Sequence, residues 1–187
     1  MNERGCPVRI LAISGSLQSR GTITTLVRAT MALAPEDAGM EFTLYDGLSD
    51  LPHFSPDRDS DDPPAPVASL RALLREADGV LICTPEYAYG MPGSLKNAFD
   101  WIVSSGEFVN KPVAAIGASP YPTGGERAYA SLLLTLTAVN AKIADGGTLT
   151  VPLVRTKMDA NGAVTDLTTA QALRSVLDAL ARAIRAH

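Results

Sequence analysis

Short apolar runs, each about the length of a strand, recur along the chain and alternate with longer segments in which apolar residues return every three or four positions. Pro7 to Ser14 (PVRILAIS) is the first run, and others fall at Met40 to Tyr45, Gly79 to Thr84, Pro112 to Ala118 and, less sharply, Thr148 to Val154. Such runs suit strands buried on both faces of a parallel sheet. Between them, helical spacing appears at Leu26, Val27, Thr30 and Met31, at Val67, Leu70, Leu73 and Leu74, and at Leu95, Ala98, Phe99, Ile102 and Val103. It returns at Leu132, Leu133, Leu136 and Val139, and in a last stripe of Leu173, Val176, Leu177, Leu180, Ala181 and Ile184. Parallel neighbours need a crossover and a helix is the usual one, so strict alternation predicts an α/β protein with helices on both faces of its sheet.

Five strands rather than six favour a flavodoxin-like three-layer sandwich with the parallel order 2-1-3-4-5. In that order the ligand crevice lies at the carboxyl ends of the strands, between the first and third, so the loops after those two strands carry the chemistry. The segment Asp46 to Pro66 interrupts the pattern with six aspartates and five prolines, which exclude a helix or a central strand. It reads as a long loop, either a functional lid or a disordered connection. The alternation resumes directly at Val67, and one domain spanning residues 1–187 is expected.

Composition narrows the function. Sixteen Lys and Arg against twenty Asp and Glu give a net charge of -4 without a dense basic cluster, which argues against nucleic-acid binding. No window approaches the roughly 20 apolar residues of a membrane span, so a soluble, cytoplasmic protein is expected. Cys6 and Cys83 form no CxxC pair and have no nearby His, so neither a zinc site nor a disulfide framework is indicated, and Cys83 reads as a small core residue. His53 and His187 are the only histidines, a poor basis for a Ser-His-Asp triad.

The loop after the first strand, Ser14 to Thr25 (SGSLQSRGTITT), has the composition of an anion cradle: small residues, hydroxyls and an approaching helix start. It matches neither GxxxxGK[ST] nor GxGxxG, so a monophosphate suits it better than a nucleotide; simple helix capping by Ser and Thr is the alternative. Arg20 either approaches the anion or points into water. After the third strand, Thr84 to Trp101 (TPEYAYGMPGSLKNAFDW) starts with a proline stop and a rigid, aromatic loop able to lie against a planar ligand. Trp101, flanked by polar residues on the helix that follows, reads either as a subunit contact or as packing at the edge of its own domain.

These two loops resemble the NADPH-dependent FMN reductase family, whose relatives include quinone, chromate and azo-dye reductases. The likeness rests on Ser14-Gly15-Ser16-Leu17 and on Thr84-Pro85-Glu86-Tyr87 with Pro92-Gly93-Ser94-Leu95-Lys96-Asn97-Ala98 and Asp100-Trp101, and weaker matches run to about Ala141. The resemblance implies FMN as cofactor, NADPH or NADH as hydride donor and a small-molecule electron acceptor taken in a ping-pong cycle. It places the phosphate at Ser14, Ser16, Gln18, Arg20 and Thr22, and the isoalloxazine at Pro85, Glu86, Tyr87, Ala88 and Tyr89, with Ser119 closing a third side. It also implies a homodimer or homotetramer through the helix carrying Trp101, with the Asp- and Pro-rich loop bordering the pocket. No side chain is expected to act as nucleophile or metal ligand, because the flavin carries the chemistry. Tyr89 or Tyr121 would limit access to the flavin face.

The phosphate loop departs from the family pattern. Gln18 stands where Arg is common, and Gly21 and Ile23 stand where Ser and Asn are usual; Thr22, Thr24 and Arg20 are the available substitutes. Loss of a charge-assisted contact costs about 1 to 3 kcal/mol, roughly tenfold to a hundredfold in affinity. Ala88-Tyr89 replaces the family's common Asn-Gly. The rival readings are a flavin-binding redox-sensing or partner module without turnover, and a domain for another phosphorylated small molecule.

Overall fold

The computed structural model describes residues 7–35 and 38–187. Cys6 lies outside the described residues. Five strands, β1 (Val8–Ser14), β2 (Met40–Tyr45), β3 (Gly79–Thr84), β4 (Pro112–Ala118) and β5 (Lys142–Val151), form one sheet in the order β2-β1-β3-β4-β5. All four pairings are parallel. The helices are α1 (Thr22–Ala32), α2 (Ala65–Glu76), α3 (Gly93–Asp100), α4 (Glu126–Ala138) and α5 (Leu167–Arg185).

Side chains alternate across a strand, and here each set meets a different helix layer. Leu11, Ile13, Val80, Ile82, Val113 and Ala115 pack with Leu70 and Leu74 of α2, Leu95 and Phe99 of α3, and Leu132 and Leu136 of α4. Their neighbours Ile10, Ala12, Leu81, Cys83, Ala114 and Ile116 pack with Leu26 and Val27 of α1 and with Leu173, Val176, Leu177 and Leu180 of α5. Both faces are covered, which is why the central strands read as unbroken apolar runs. Cys83 is fully buried, and burial pushes its thiol up to about 12, as a core residue requires.

Strand β5 differs from the expected Thr148 to Val154: it begins at Lys142 and ends at Val151. The cause is a bulge, for Val113 pairs with Ile143 but Ala115 pairs with Thr148, so five residues of β5 span what two of β4 span. Gly146 takes φ +74° there, and Asp145 and Gly146 face solvent, which hides the first half of the strand from any apolar pattern.

The Asp- and Pro-rich segment is an ordered connection packed on the core, not a disordered one. It carries short 3-10 turns at Gly47–Ser49 and Pro56–Arg58, and buries Leu48 and Leu51 against the α2-α3 layer. The Pro52 carbonyl accepts from Trp101 Nε1 at 2.8 Å and from Asn97 Nδ2 at 3.0 Å, while the Phe54 N–H donates to Asn97 Oδ1 at 2.8 Å. The Phe54 ring stands edge-on to the indole, 5.1 Å between centres. Trp101 is therefore 0% exposed in its own chain, and its reading as a subunit contact is corrected: Asn97 serves the 52–54 segment, while Lys96 and Asp100 pair with each other. Asp59 extends the attachment, accepting from Arg71 Nη2 at 2.7 Å and Ser104 Oγ at 2.6 Å. The Ser104 hydroxyl and then the Arg71 guanidinium hold its carboxyl below the usual range.

Candidate functional site

Strand β1 delivers Ser14 to the carboxyl end of the sheet, and the loop behind it folds on its own hydroxyls. Ser14 Oγ lies 2.8 Å from Thr24 Oγ1 and 3.3 Å from the Ser16 N–H, which donates to it. Thr24 Oγ1 donates to the Gln18 carbonyl at 2.9 Å, and Ser16 Oγ accepts from the Gln18 N–H at 3.3 Å. Gly21, in extended conformation, precedes α1 and has no side chain to cap it; the first turn of α1 contains no acidic residue. The helix start thus presents backbone N–H groups and the positive end of its dipole beside a cluster of hydroxyls, the arrangement that suits an anion rather than a cation.

The structure separates the residues singled out in the sequence into three clefts. Ser14, Ser16 and Thr24 wall a narrow one, with Arg28 of α1 and with Tyr45, Asp46, Leu48 and Ser49 from the end of β2 and the loop beyond it. The Asp- and Pro-rich segment thus borders the site within the same chain. Burial, aided by Asp50 and Asp46, pushes the Tyr45 phenol up to about 12, so it stays neutral there. Arg20 and Thr22 instead line an open cleft of about 500 Å³ with Arg155 and residues 158–162. Gln18 is exposed, and its backbone does the local work. Arg28 is the cation that the sequence reading missed: it lies two turns into a helix whose apolar stripe drew attention first.

The third cleft, about 650 Å³, opens between the loops after β3 and β4 and is lined by Glu86, Ala88, Tyr89, Ser119, Tyr121, Glu126 and Arg127, among others. Pro85 is buried behind it, its carbonyl accepting from Thr84 Oγ1 at 2.9 Å. The loop itself is a tight hairpin: Tyr87 and Gly90 exchange both backbone hydrogen bonds at 3.0 Å, and the two residues between them, Ala88 and Tyr89, have φ +48° and +62°. That is a two-residue turn of the type that Asn-Gly favours. Two side-chain-bearing residues held left-handed carry strain of about 1 kcal/mol or more each. Tyr87 and Tyr89 project outward, 54% and 71% exposed, and Tyr121, 70% exposed, shares the cleft wall with Tyr89.

Glu86 lines the cleft but turns its carboxylate to α4, accepting from the backbone N–H groups of Arg127 and Ala128 at 3.0 and 3.1 Å. Gly125, left-handed at φ +77°, precedes that helix and cannot cap it, so Glu86 supplies the cap across the sheet and ties the two loops together. Ser119 Oγ accepts from the Tyr121 N–H at 3.1 Å, and its backbone bridges to Val151 and Val154. Arg127, also unforeseen, places its guanidinium 4.2 Å from the centre of the Tyr89 ring. Its signal was a Gly-Gly-Glu-Arg sequence ahead of a helix, too short to interpret alone.

An open cleft carrying Tyr89 and Tyr121, on loops adjoining a hydroxyl-lined helix start, fits a molecule with a planar head and an anionic tail, which is the chemistry of FMN. The sequence matches the NADPH-dependent FMN reductase family over residues 8–155. It is 33% identical to an NAD(P)H-dependent FMN reductase of Pseudomonas aeruginosa over 175 residues, covering 92% of this chain and 93% of that one. It is 31% identical to a quinone reductase of Escherichia coli K12 over 183 residues, 95% of this chain and 96% of the other. Among solved structures, the flavoenzyme NAD(P)H:(acceptor) oxidoreductase of Paracoccus denitrificans superposes with a TM-score of 0.85 at 32% identity, covering 96% of this chain and 98% of that one. With those likenesses running through the sheet and both of its functional loops, the chain belongs to the NADPH-dependent FMN reductase family and is an NAD(P)H-using, FMN-dependent oxidoreductase.

Proposed function

We propose that this protein passes hydride from a reduced nicotinamide through FMN to a quinone, a free flavin or a similar flat oxidant, donor and acceptor using the 650 Å³ cleft in turn. The observation that carries the reading is the open, tyrosine-rimmed cleft next to an uncapped helix start, on the two loops that a parallel sheet in this order places side by side. The hydride chemistry belongs to the isoalloxazine when FMN is bound. The chain's part is to bind and orient. Ser16 and the first N–H groups of α1 hold the phosphate, with Ser14 and Thr24 shaping the loop from behind. Pro85 and the Tyr87–Gly90 turn form a rigid wall for the ring, and the loop carrying Ser119 and Tyr121 closes its third side. Tyr89 and Tyr121 narrow the approach, so that a flat molecule enters more readily than a bulky one.

A cytoplasmic setting and function as one domain accompany this reading: no helix among the described residues is long and apolar enough to cross a membrane, and α5 completes the core beyond the matched region. Self-association through the outward side of α3, where Lys96 is exposed, replaces the contact once attached to Trp101; sedimentation of Lys96→Glu tests it, with a shift toward monomer expected. For the central claim, protein incubated with FMN and desalted turns yellow and oxidises NADPH when a quinone is present. Ser16→Ala weakens FMN binding in a fluorescence titration. Colourless protein overturns the proposal, and yellow protein that leaves NADPH unoxidised reduces it to a binding module.

A further inference from the structure

Arg127 breaks a local rule. It is the second residue of α4, where the helix dipole disfavours a cation and where Glu126, just before it, has the favoured sign. It forms no ion pair among the described residues. The Glu86 carboxylate, which lines the same cleft, is engaged by the backbone N–H groups of Arg127 and Ala128 rather than by the guanidinium. What positions the guanidinium is the face of Tyr89, 4.2 Å away. Tyr89 in turn is held 71% exposed by a turn in which it and Ala88 are both left-handed. A strained turn and a cation at a helix start both run against stability; such conflicts concentrate where a ligand is handled.

The site so built is a planar fork of five donors with no acceptor, lying in the wall of a cleft beside two exposed tyrosines, Tyr89 and Tyr121. A chain of net charge -4 repels anions at long range, so seating one in this cleft calls for a local cation. We propose that Arg127, presented by Tyr89, is a specificity-determining residue that seats the anionic group of a flat substrate. The inference rests on the reading of this cleft as the place where donor and acceptor meet FMN. The shared chemistry is an oxyanion on an aromatic molecule, borne by an acidic acceptor or by the 2′-phosphate of the donor.

The test uses binding rather than turnover. FMN-loaded protein and its Arg127→Gln variant, with loading verified from flavin absorbance, are titrated calorimetrically with two matched pairs of redox-inert probes: naphthalene-2-sulfonate against 2-naphthalenemethanol, and NADP+ against NAD+. Removing a charge-assisted contact should reduce the preference for the charged member of a pair by roughly tenfold to a hundredfold, and Arg127→Lys should recover part of it. A loss confined to the sulfonate pair assigns the anion to the acceptor, a loss in the dinucleotide pair assigns it to the donor, and a loss in both shows one cation serving each in turn. Preferences that hold in both pairs while the variant stays yellow overturn this inference alone. So does a variant that has shed its FMN when the parent protein keeps it. A parent protein that cannot be loaded overturns the cofactor reading beneath it as well.

Discussion

The stretch from Thr84 to Trp101 reads as one signature, yet the molecule uses its two ends in opposite ways. At the first end, Ala88 and Tyr89 sit in a strained left-handed turn with Tyr89 lining an open cleft. At the other, Asn97 and Trp101 lie against the Pro52–Phe54 segment, their polar atoms paired and the indole fully buried. Asn97 reads both a carbonyl and an N–H of that segment, as a neighbouring strand would, and Trp101 shares the same carbonyl. One end of the signature lines an open cleft, and the other anchors a long loop. Motif membership alone therefore does not separate binding residues from scaffold; the pairing of each polar atom does.

Substitutions at the two ends should separate these roles, and the largest effect belongs to the anchor. Trp101→Ala removes a buried ring, its edge-on partner and a hydrogen bond, and should destabilise the fold by about 3 to 5 kcal/mol in urea unfolding. A variant of unchanged stability would restore the indole to the surface. Asp59→Asn leaves the buried Arg71 guanidinium without its counter-charge, at about 3 kcal/mol. Because the folded carboxyl titrates below its ordinary value, its contribution is complete above the unfolded pKa and fades as the pH falls through the folded one. Thermal midpoints of the two proteins should thus differ at neutral pH and converge in acid; a gap constant with pH would contradict the pair.

Asn97→Ala should cost about 2 kcal/mol by leaving the Phe54 N–H without its acceptor, while FMN affinity stays within a few-fold of the parent in a fluorescence titration. A selective loss of flavin instead would erase the distinction between the two ends. The smallest effect falls on the ligand end and has the opposite sign. Ala88→Gly relieves the left-handed strain at some cost in unfolded-chain entropy, so the melting midpoint should rise by the equivalent of about 1 kcal/mol or less. A fall would show that the turn is not strained.

The sequence by itself determined the layers and their order. Apolar runs such as Val80 to Cys83 and Val113 to Ile116 could only be strands covered on both faces, and the helical stripes between them supplied the crossovers. It also determined which two loops lie side by side at the carboxyl end of the sheet, since the strand order alone sets their place. Where side-chain pattern is local, as in these elements, periodicity is enough. Strand β5 was only half legible because its bulge puts Asp145 and Gly146 in solvent in mid-strand.

Only the tertiary structure decided the rest. The burial of Trp101 depends on Pro52, 49 residues earlier, and the capping of α4 depends on Glu86, 41 residues before Arg127. The turning of Arg20 away from the Ser14 cleft and the presence of Arg28 in it likewise follow from how α1 docks on the sheet. Hydrogen bonds and ring stacking act over a few ångströms of space, whatever the distance along the chain, so a composition that marks a loop as polar cannot say which partner it meets.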